Sequence, residues 1–269
     1  MLTNRLIACF DIRNGLVTKA HKFKNNIDIG SAENMAVKMY EDQIDEIIFY
    51  DITASSEKRK IDIDTVKKVA KQVFVPFTVG GGIKSLDDMY EVLKAGAEKI
   101  SIDSMAVRNP NIIKEGALAF GSQCIVLSMQ VKRVKKTISI PSGYEIAIDG
   151  ARVFTGMDAV EWAKKAQGLG AGEICVNSID QDGTHAGYDI EITSLISRNV
   201  NVPVIASGGA GTPQHLVDVF SNTEASAAII SSMLYSPKIE RNYSMKEIKE
   251  KLIQHNISVR PWIMDYNIG

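Results

Sequence analysis

The chain has 269 residues, 45% of them hydrophobic and 23% charged, with a formal net charge of -1. That balance excludes a broadly basic nucleic-acid surface, and no apolar run approaches the roughly 20 residues that a membrane helix needs. The run Leu6-Ile7-Ala8-Cys9-Phe10 is too short for a secretory signal, and charges soon follow it.

In chain order, short apolar runs alternate with longer segments of helical period. Strands are predicted near 6–10, 46–50, 75–79, 99–102, 124–128, 173–177, 203–206 and 226–230. The segments 32–42, 63–72, 86–95, 112–120, 159–169, 190–198, 213–220 and 245–254 carry apolar residues at three- and four-residue spacing, the pattern of helices with one buried face. Ser85 before Leu86, Thr212 before Pro213 and Ser244 just ahead of Lys246-Glu247 suit helix starts. Eight near-continuous apolar strands, each followed by a helix, predict an α/β fold of the (β/α)8 barrel type, with an open doubly wound sheet as the alternative. Residues 1–269 are expected to form one domain, and only 260–269 lacks a pattern.

The chain repeats itself. Val79-Gly80-Gly81-Gly82-Ile83 and Ala206-Ser207-Gly208-Gly209-Ala210 lie 127 residues apart, and the same offset relates Glu46 to Glu173, Ile52 to Ile179, Ser55 to Asp182 and Ser104 to Ser231. Nearer the start, Phe10-Asp11-Ile12 aligns with Met129-Gln130-Val131 at an offset of 119. A duplicated half-barrel explains both, with an insertion between them. The insertion is expected within 135–155, where Ile138-Ser139-Ile140 and Tyr144-Glu145-Ile146 flank Pro141-Ser142-Gly143 as a β-hairpin would.

In a parallel barrel the loops after the strands build the active face. Those positions hold Asp11, Asp51, Thr53, Ser55, Gly80 to Gly82, Asp103, Ser104, Gln130, Ser178 to Thr184, Ser207 to Gly211, Ser231 and Ser232. Glycine lets backbone N–H groups approach an oxyanion, and a following helix start favours negative charge. Gly81 and Gly82 with Ser104 read as one phosphate cradle, and Gly208 and Gly209 with Ser231 as its twin. One Gly-Gly turn alone is weak, since turns use glycine everywhere; the matched pair predicts a ligand with a phosphate at each end, spanning roughly 15–20 Å.

Asp11 ends the first strand and points at the middle of this ring, where a general acid or base acts; the plainer reading is a turn cap before Asn14-Gly15. Lys19 follows in the next loop, as an anion cover or simply as a solvated lysine. Arg5, Glu46, Lys99 and Glu173 begin strands at the opposite mouth, where two cations and two anions form a ring of ion pairs, which by itself is a stabilising feature. Cys9, Cys124 and Cys175 show no metal spacing and read as buried thiols of a cytoplasmic protein.

Asp51-Ile52-Thr53-Ala54-Ser55, Phe77 to Ile83, Phe120-Gly121-Ser122-Gln123, Ser178-Ile179-Asp180-Gln181-Asp182-Gly183-Thr184 and Ala206 to Gly211 together resemble the cyclase subunit of imidazole glycerol phosphate synthase, from residue 1 to about 260. The resemblance implies a half-barrel duplication and a reaction of ammonia with a bisphosphorylated ribulosyl aminoimidazole carboxamide nucleotide. The products are imidazole glycerol phosphate and an aminoimidazole carboxamide ribotide, in histidine biosynthesis. It implies no metal and no cofactor, and a glutaminase partner docked on the N-terminal face of the barrel. Asp11 matches one of two catalytic aspartates and Lys19 the lysine of the covering loop. Gly81, Gly82, Asp103 and Ser104 fall at one phosphate site; Asp182, Gly183, Ser207, Gly208, Gly209, Ser231 and Ser232 fall at the other. Arg5, Glu46, Lys99 and Glu173 match the charged gate that admits ammonia.

Two positions depart from the family. Gln130 stands where the second catalytic aspartate is expected, and an amide does not exchange protons near neutral pH as a carboxylate does. Asp103 stands where an asparagine is expected, beside a phosphate that a carboxylate repels. Lys22-Phe23-Lys24-Asn25 and Gly156 to Trp162 resemble instead a branch of cyclase-like subunits tied to amidination of bacterial surface sugars, a competing expectation in which the second acid is released from its role.

Overall fold

The computed structural model describes residues 3–21, 24–54, 57, 59–237 and 241–264, with the backbone alone for 19–21 and 24–26. In chain order the elements are β1 (Arg5–Arg13), β2 (Leu16–His21), β3 (Lys24–Ser31), α1 (Ala32–Glu41), β4 (Glu46–Asp51), α2 (Ile63–Ala70), β5 (Phe77–Gly80), α3 (Leu86–Lys94), β6 (Lys99–Ile102), α4 (Ser104–Arg108), α5 (Asn111–Phe120) and β7 (Ile125–Arg133). Then follow β8 (Tyr144–Ile148), β9 (Val153–Asp158), α6 (Ala159–Leu169), β10 (Glu173–Ser178), α7 (Ile190–Ser197), β11 (Val204–Ser207), α8 (Pro213–Asn222), β12 (Ala227–Ile230), α9 (Ser232–Tyr235) and α10 (Met245–Gln254).

Eight parallel strands close into a ring in the order β1, β4, β5, β6, β7, β10, β11, β12, and β12 pairs back onto β1. The predicted (β/α)8 barrel is therefore the fold. Closure leaves no open parallel edge, and it puts every strand's C-terminal end at one mouth. Four steps around the ring in either direction separate β1 from β7, so the duplicated halves face one another across the bore.

Burial on both sheet faces explains the unbroken apolar runs: β5, for example, is buried at all four positions. Outside the wall, Ile47, Phe49, Phe77, Val79, Leu127 and Met129 pack against the inner stripes of the helices, among them Met89, Val92, Ile192 and Leu216. Inside, Ile7, Ile48, Val126, Cys175, Ile205, Ala227 and Ile229 form a second, smaller cluster. The helices start where their caps are. Ser31, Asp62, Ser85, Asp158 and Asp189 each accept from a backbone N–H in the first turn, and Ser244 forms a reciprocal capping box with Glu247. Thr212 takes the cap position ahead of Pro213 without a side-chain bond.

The antiparallel additions differ from the expected hairpin. The partner of β8 is β7, with Gln130 opposite Ala147 and Arg133 opposite Tyr144, and β9 pairs on the far side of β8. Residues 138–140 form no strand, and Ile138 is fully exposed. An equivalent addition follows β1, where Asn14 and Gly15, both at positive φ, turn the chain so that Asp11 faces Thr18 and Arg13 faces Leu16. Asn-Gly is the strongest two-residue hairpin signal, and the duplication thus extends into this loop. Ser55 lies outside the described residues, as do Lys22 and Phe23. Among the described residues, no helix is long and apolar enough to cross a membrane.

Candidate active site at the C-terminal mouth

The parallel register brings the predicted rim residues together. Asp11 lies beside Tyr50 of β4, Tyr50 beside Gly80, and Gly80 beside Ser101. On the other side Gln130 neighbours Asn177, and Asn177 neighbours Ser207. Alternation along each strand aims the same set of positions inward, because successive side chains point to opposite faces.

Both glycine turns require glycine. Gly81 has φ +88 and a Cβ there would lie 2.3 Å from the Asp51 carbonyl oxygen; Gly209 has φ +99 and a Cβ would lie 2.0 Å from that of Gly187. Gly82 and Gly208 also hold positive φ. The first turn rests on Asp51, whose carboxylate accepts from Ala54 N at 3.0 Å and from two Arg59 nitrogens at 2.7 Å each. The second rests on Asn177, which accepts from Ser207 Oγ at 3.0 Å. Ser104 and Ser232 open the short helices α4 and α9 directly after β6 and β12. Ser231 shares a 3.0 Å hydrogen bond with the Tyr235 hydroxyl, which donates to Cys9 O at 2.5 Å. Asp182 and Gly183 sit exposed at the tip of the loop after β10.

Asp11 is half-buried on β1. Across the mouth, Gln130 Nε2 donates to Asp103 Oδ2 at 3.1 Å, and Ser104 Oγ donates to Asp103 Oδ1. Burial pushes the Asp103 carboxyl above its usual range; the bonds from Ser104 and Gln130 oppose this, Asp149 adds to it, and Arg108 opposes it. Lys19 has its backbone in β2, and its side chain lies outside what is described.

Below the mouth, Tyr50 shares a 3.2 Å hydrogen bond with Ser101, and burial pushes its phenol well above the ordinary range, with Cys175 and Cys9 adding to the rise. Burial likewise pushes the Cys175 thiol to about 12, so both groups stay neutral. Cys9 and Cys124 are only half-buried, a correction to the expectation of three buried thiols, because Cys9 lines the bore and Cys124 ends a turn.

At the far mouth Arg5, Glu46, Lys99 and Glu173 form a closed ring of alternating charge. Arg5 reaches Glu46 at 2.5 Å and Glu173 at 2.7 Å; Lys99 reaches Glu46 at 3.2 Å and Glu173 at 2.9 Å. Burial alone would lower the Arg5 pKa, but the two carboxylates turn the net shift upward. The bore is thus polar at both ends and apolar in the middle.

The chain matches the family described as histidine biosynthesis protein over residues 5–240. It belongs to that family. Its relatives include the imidazole glycerol phosphate synthase subunit HisF of Desulfatibacillum aliphaticivorans, 57% identical over 97% of this chain and 98% of the relative. The subunit of the same name from Syntrophobacter fumaroxidans is 56% identical over 97% and 99%; that from Desulfosudis oleivorans is 57% identical over the same shares.

Within this histidine-biosynthesis barrel, several contributors to the site escaped the sequence reading. Arg59 clamps Asp51 from eight residues away, and nothing in its spacing marks it. Arg133 and Lys132 bind the loop after β10, Lys132 through Asp180 and Arg133 through Asp189 at 3.2 Å. Tyr50 was legible in principle, being an aromatic residue at an inward position just below the mouth.

Proposed function

We infer that this chain works as the cyclase subunit of an imidazole glycerol phosphate synthase in histidine biosynthesis. The observation that carries the reading is full-length kinship at 57% identity with subunits of that name, and the twin glycine turns at one mouth give it a physical basis. A substrate with a phosphate at each end is held by Gly81, Gly82 and Ser104 on one side and by Gly183, Gly209, Ser231 and Ser232 on the other, where backbone N–H groups meet the oxyanions. Asp182, Ser207 and Gly208 complete the second cradle. Asp11 lies between them as an acid-base group, and Lys19 covers the bound substrate from the β2 side.

Ammonia released by a glutaminase subunit enters at the opposite mouth. The ring of Arg5, Glu46, Lys99 and Glu173 closes that mouth until the partner docks there, and the neutral middle of the bore carries ammonia rather than ammonium. A charged ion passing Ile7, Ile48 and Val126 would lose its hydration without replacement, whereas neutral ammonia loses little.

The test is turnover. Purified protein supplied with an ammonium salt and the bisphosphorylated ribulosyl nucleotide is expected to form imidazole glycerol phosphate and aminoimidazole carboxamide ribotide without its partner. Glutamine is expected to replace the ammonium salt only when the glutaminase is added. Complete absence of product from folded protein at high ammonium would reject the reading.

A further inference from the structure

Asp103 has the surroundings of a working acid rather than of a helix cap. It occupies the cap position of α4, at φ -123 and ψ -104, yet makes no capping bond. Its oxygens are taken up by side chains instead, Oδ1 by Ser104 and Oδ2 by Gln130 at 3.1 Å. Among the described residues no lysine or arginine forms an ion pair with it, although Arg108, on the same short helix, pairs with Asp149. A half-buried carboxyl whose partners are neutral side chains is costlier to ionise than an exposed one. Such a group exchanges its proton near neutral pH more readily than an ordinary aspartate does.

Its place in the ring matters as much. Asp103 follows β6, three strands from β1 by one route and five by the other. Asp11 and Asp103 therefore come to the mouth from nearly opposite sides. Gln130, on β7 directly opposite β1, has turned its amide to the Asp103 carboxylate. The resemblance places an acid at 130 and an amide at 103; here the amide is at 130 and the acid at 103, joined by one hydrogen bond. The β6–β7 corner keeps one carboxyl and one carboxamide, with the carboxyl moved by one strand spacing, about 4.8 Å.

We propose that Asp103 is the second proton-transfer group of this chain, acting on the substrate opposite Asp11, and that Gln130 is the positioning residue that holds its carboxyl. The proposal rests on the cyclase reading above. When ammonia condenses with the ribulosyl carbonyl, carbon–nitrogen bonding replaces carbon–oxygen bonding, so that one ketone and one ammonia give one imine and one water. Two protons leave nitrogen and end on the departing oxygen. One carboxylate accepts from nitrogen while the opposite carboxylic acid donates to oxygen, and exchange with water at the open mouth restores both.

The experiment compares ammonium-driven kcat and KM for the native protein, Asp103→Asn, Gln130→Asp and the exchange variant carrying both substitutions, with thermal melting as the check on folding. Asp103→Asn is expected to fold and to lose about 10²–10⁴ in kcat with KM changed little. The exchange variant is expected to recover most of that loss, which a merely structural role for either residue does not explain. An Asp103→Asn variant that keeps its kcat overturns the proposal. So does one that fails to fold, because the carboxyl is then structural, and so does a folded exchange variant no faster than Asp103→Asn. An inert native protein sinks the cyclase reading along with this one; an active native protein with an equally active Asp103→Asn sinks this one alone.

Discussion

Arg133 on β7 reaches Asp189, the cap of α7, at 3.2 Å, and its other terminal nitrogen meets Glu191 at 2.6 Å. Its guanidinium lies over the Tyr144 ring at 4.7 Å, and Tyr144 donates to Asp189 at 3.1 Å. Arg133 N donates to Asp180 at 2.8 Å. The β7–β8 addition is thereby braced against the loop that presents Asp182 and Gly183. A half-exposed pair of this kind contributes about 1 kcal/mol at most. Arg133→Ala is therefore expected to raise KM for the bisphosphorylated substrate by up to about fivefold while kcat holds. A fall in kcat without a rise in KM would place Arg133 in the chemistry instead.

The glycine turns separate two kinds of strain. Gly183 has φ +73 with nothing within 4 Å of a built Cβ, so Gly183→Ala bears only the left-handed penalty, about 1–2 kcal/mol. Gly81→Ala and Gly209→Ala add a collision with a backbone oxygen, at 2.3 and 2.0 Å, and are expected to cost about 3 kcal/mol or more. Urea denaturation of the three variants reads this order. Equal losses would mean that the tight turns relax freely.

At the floor, Lys99→Met leaves Glu46 and Glu173, both buried, with Arg5 as their remaining partner. Removing one member of a buried ion pair typically costs about 3–5 kcal/mol, and the surviving Arg5 reduces that here. The informative readout is kinetic. If the ring is the gate proposed above, ammonium-driven turnover is expected to survive, with ammonia reaching the site from the open mouth, while the ratio of glutamine consumed to product formed departs from that of the native complex. An unchanged ratio argues that the ring serves stability only.

Asp103 supplies the pH prediction. Its pKa is raised on folding from the ordinary 3.8, chiefly by burial. The folded state then binds its proton more tightly than the unfolded chain does, so this contribution to stability is complete below the unfolded pKa and is lost as pH rises through the folded one. Asp103→Asn removes that loss. The variant is expected to melt higher than the native protein at neutral pH, with the advantage shrinking to nothing as pH falls below 3.8. A variant less stable at neutral pH contradicts the assignment of burial as the dominant cause. A gain in stability where activity falls is the usual trade at a strained working group.

Local physics alone determined the eight strand–helix units, the two glycine turns and the four charges that begin strands, because unbroken apolar strand runs, one-sided helix faces, helix caps and glycine turns leave marks within a few residues. Ser85 as a helix start and Gly81 as a glycine turn could each be interpreted from their neighbours in the chain. Only the tertiary structure decided that β12 closes on β1, that β8 pairs with β7 rather than with 138–140, and that Gln130 spends its amide on Asp103. Those contacts join residues tens to hundreds of positions apart, and no local pattern records which of several rim partners a side chain will meet once the ring has closed.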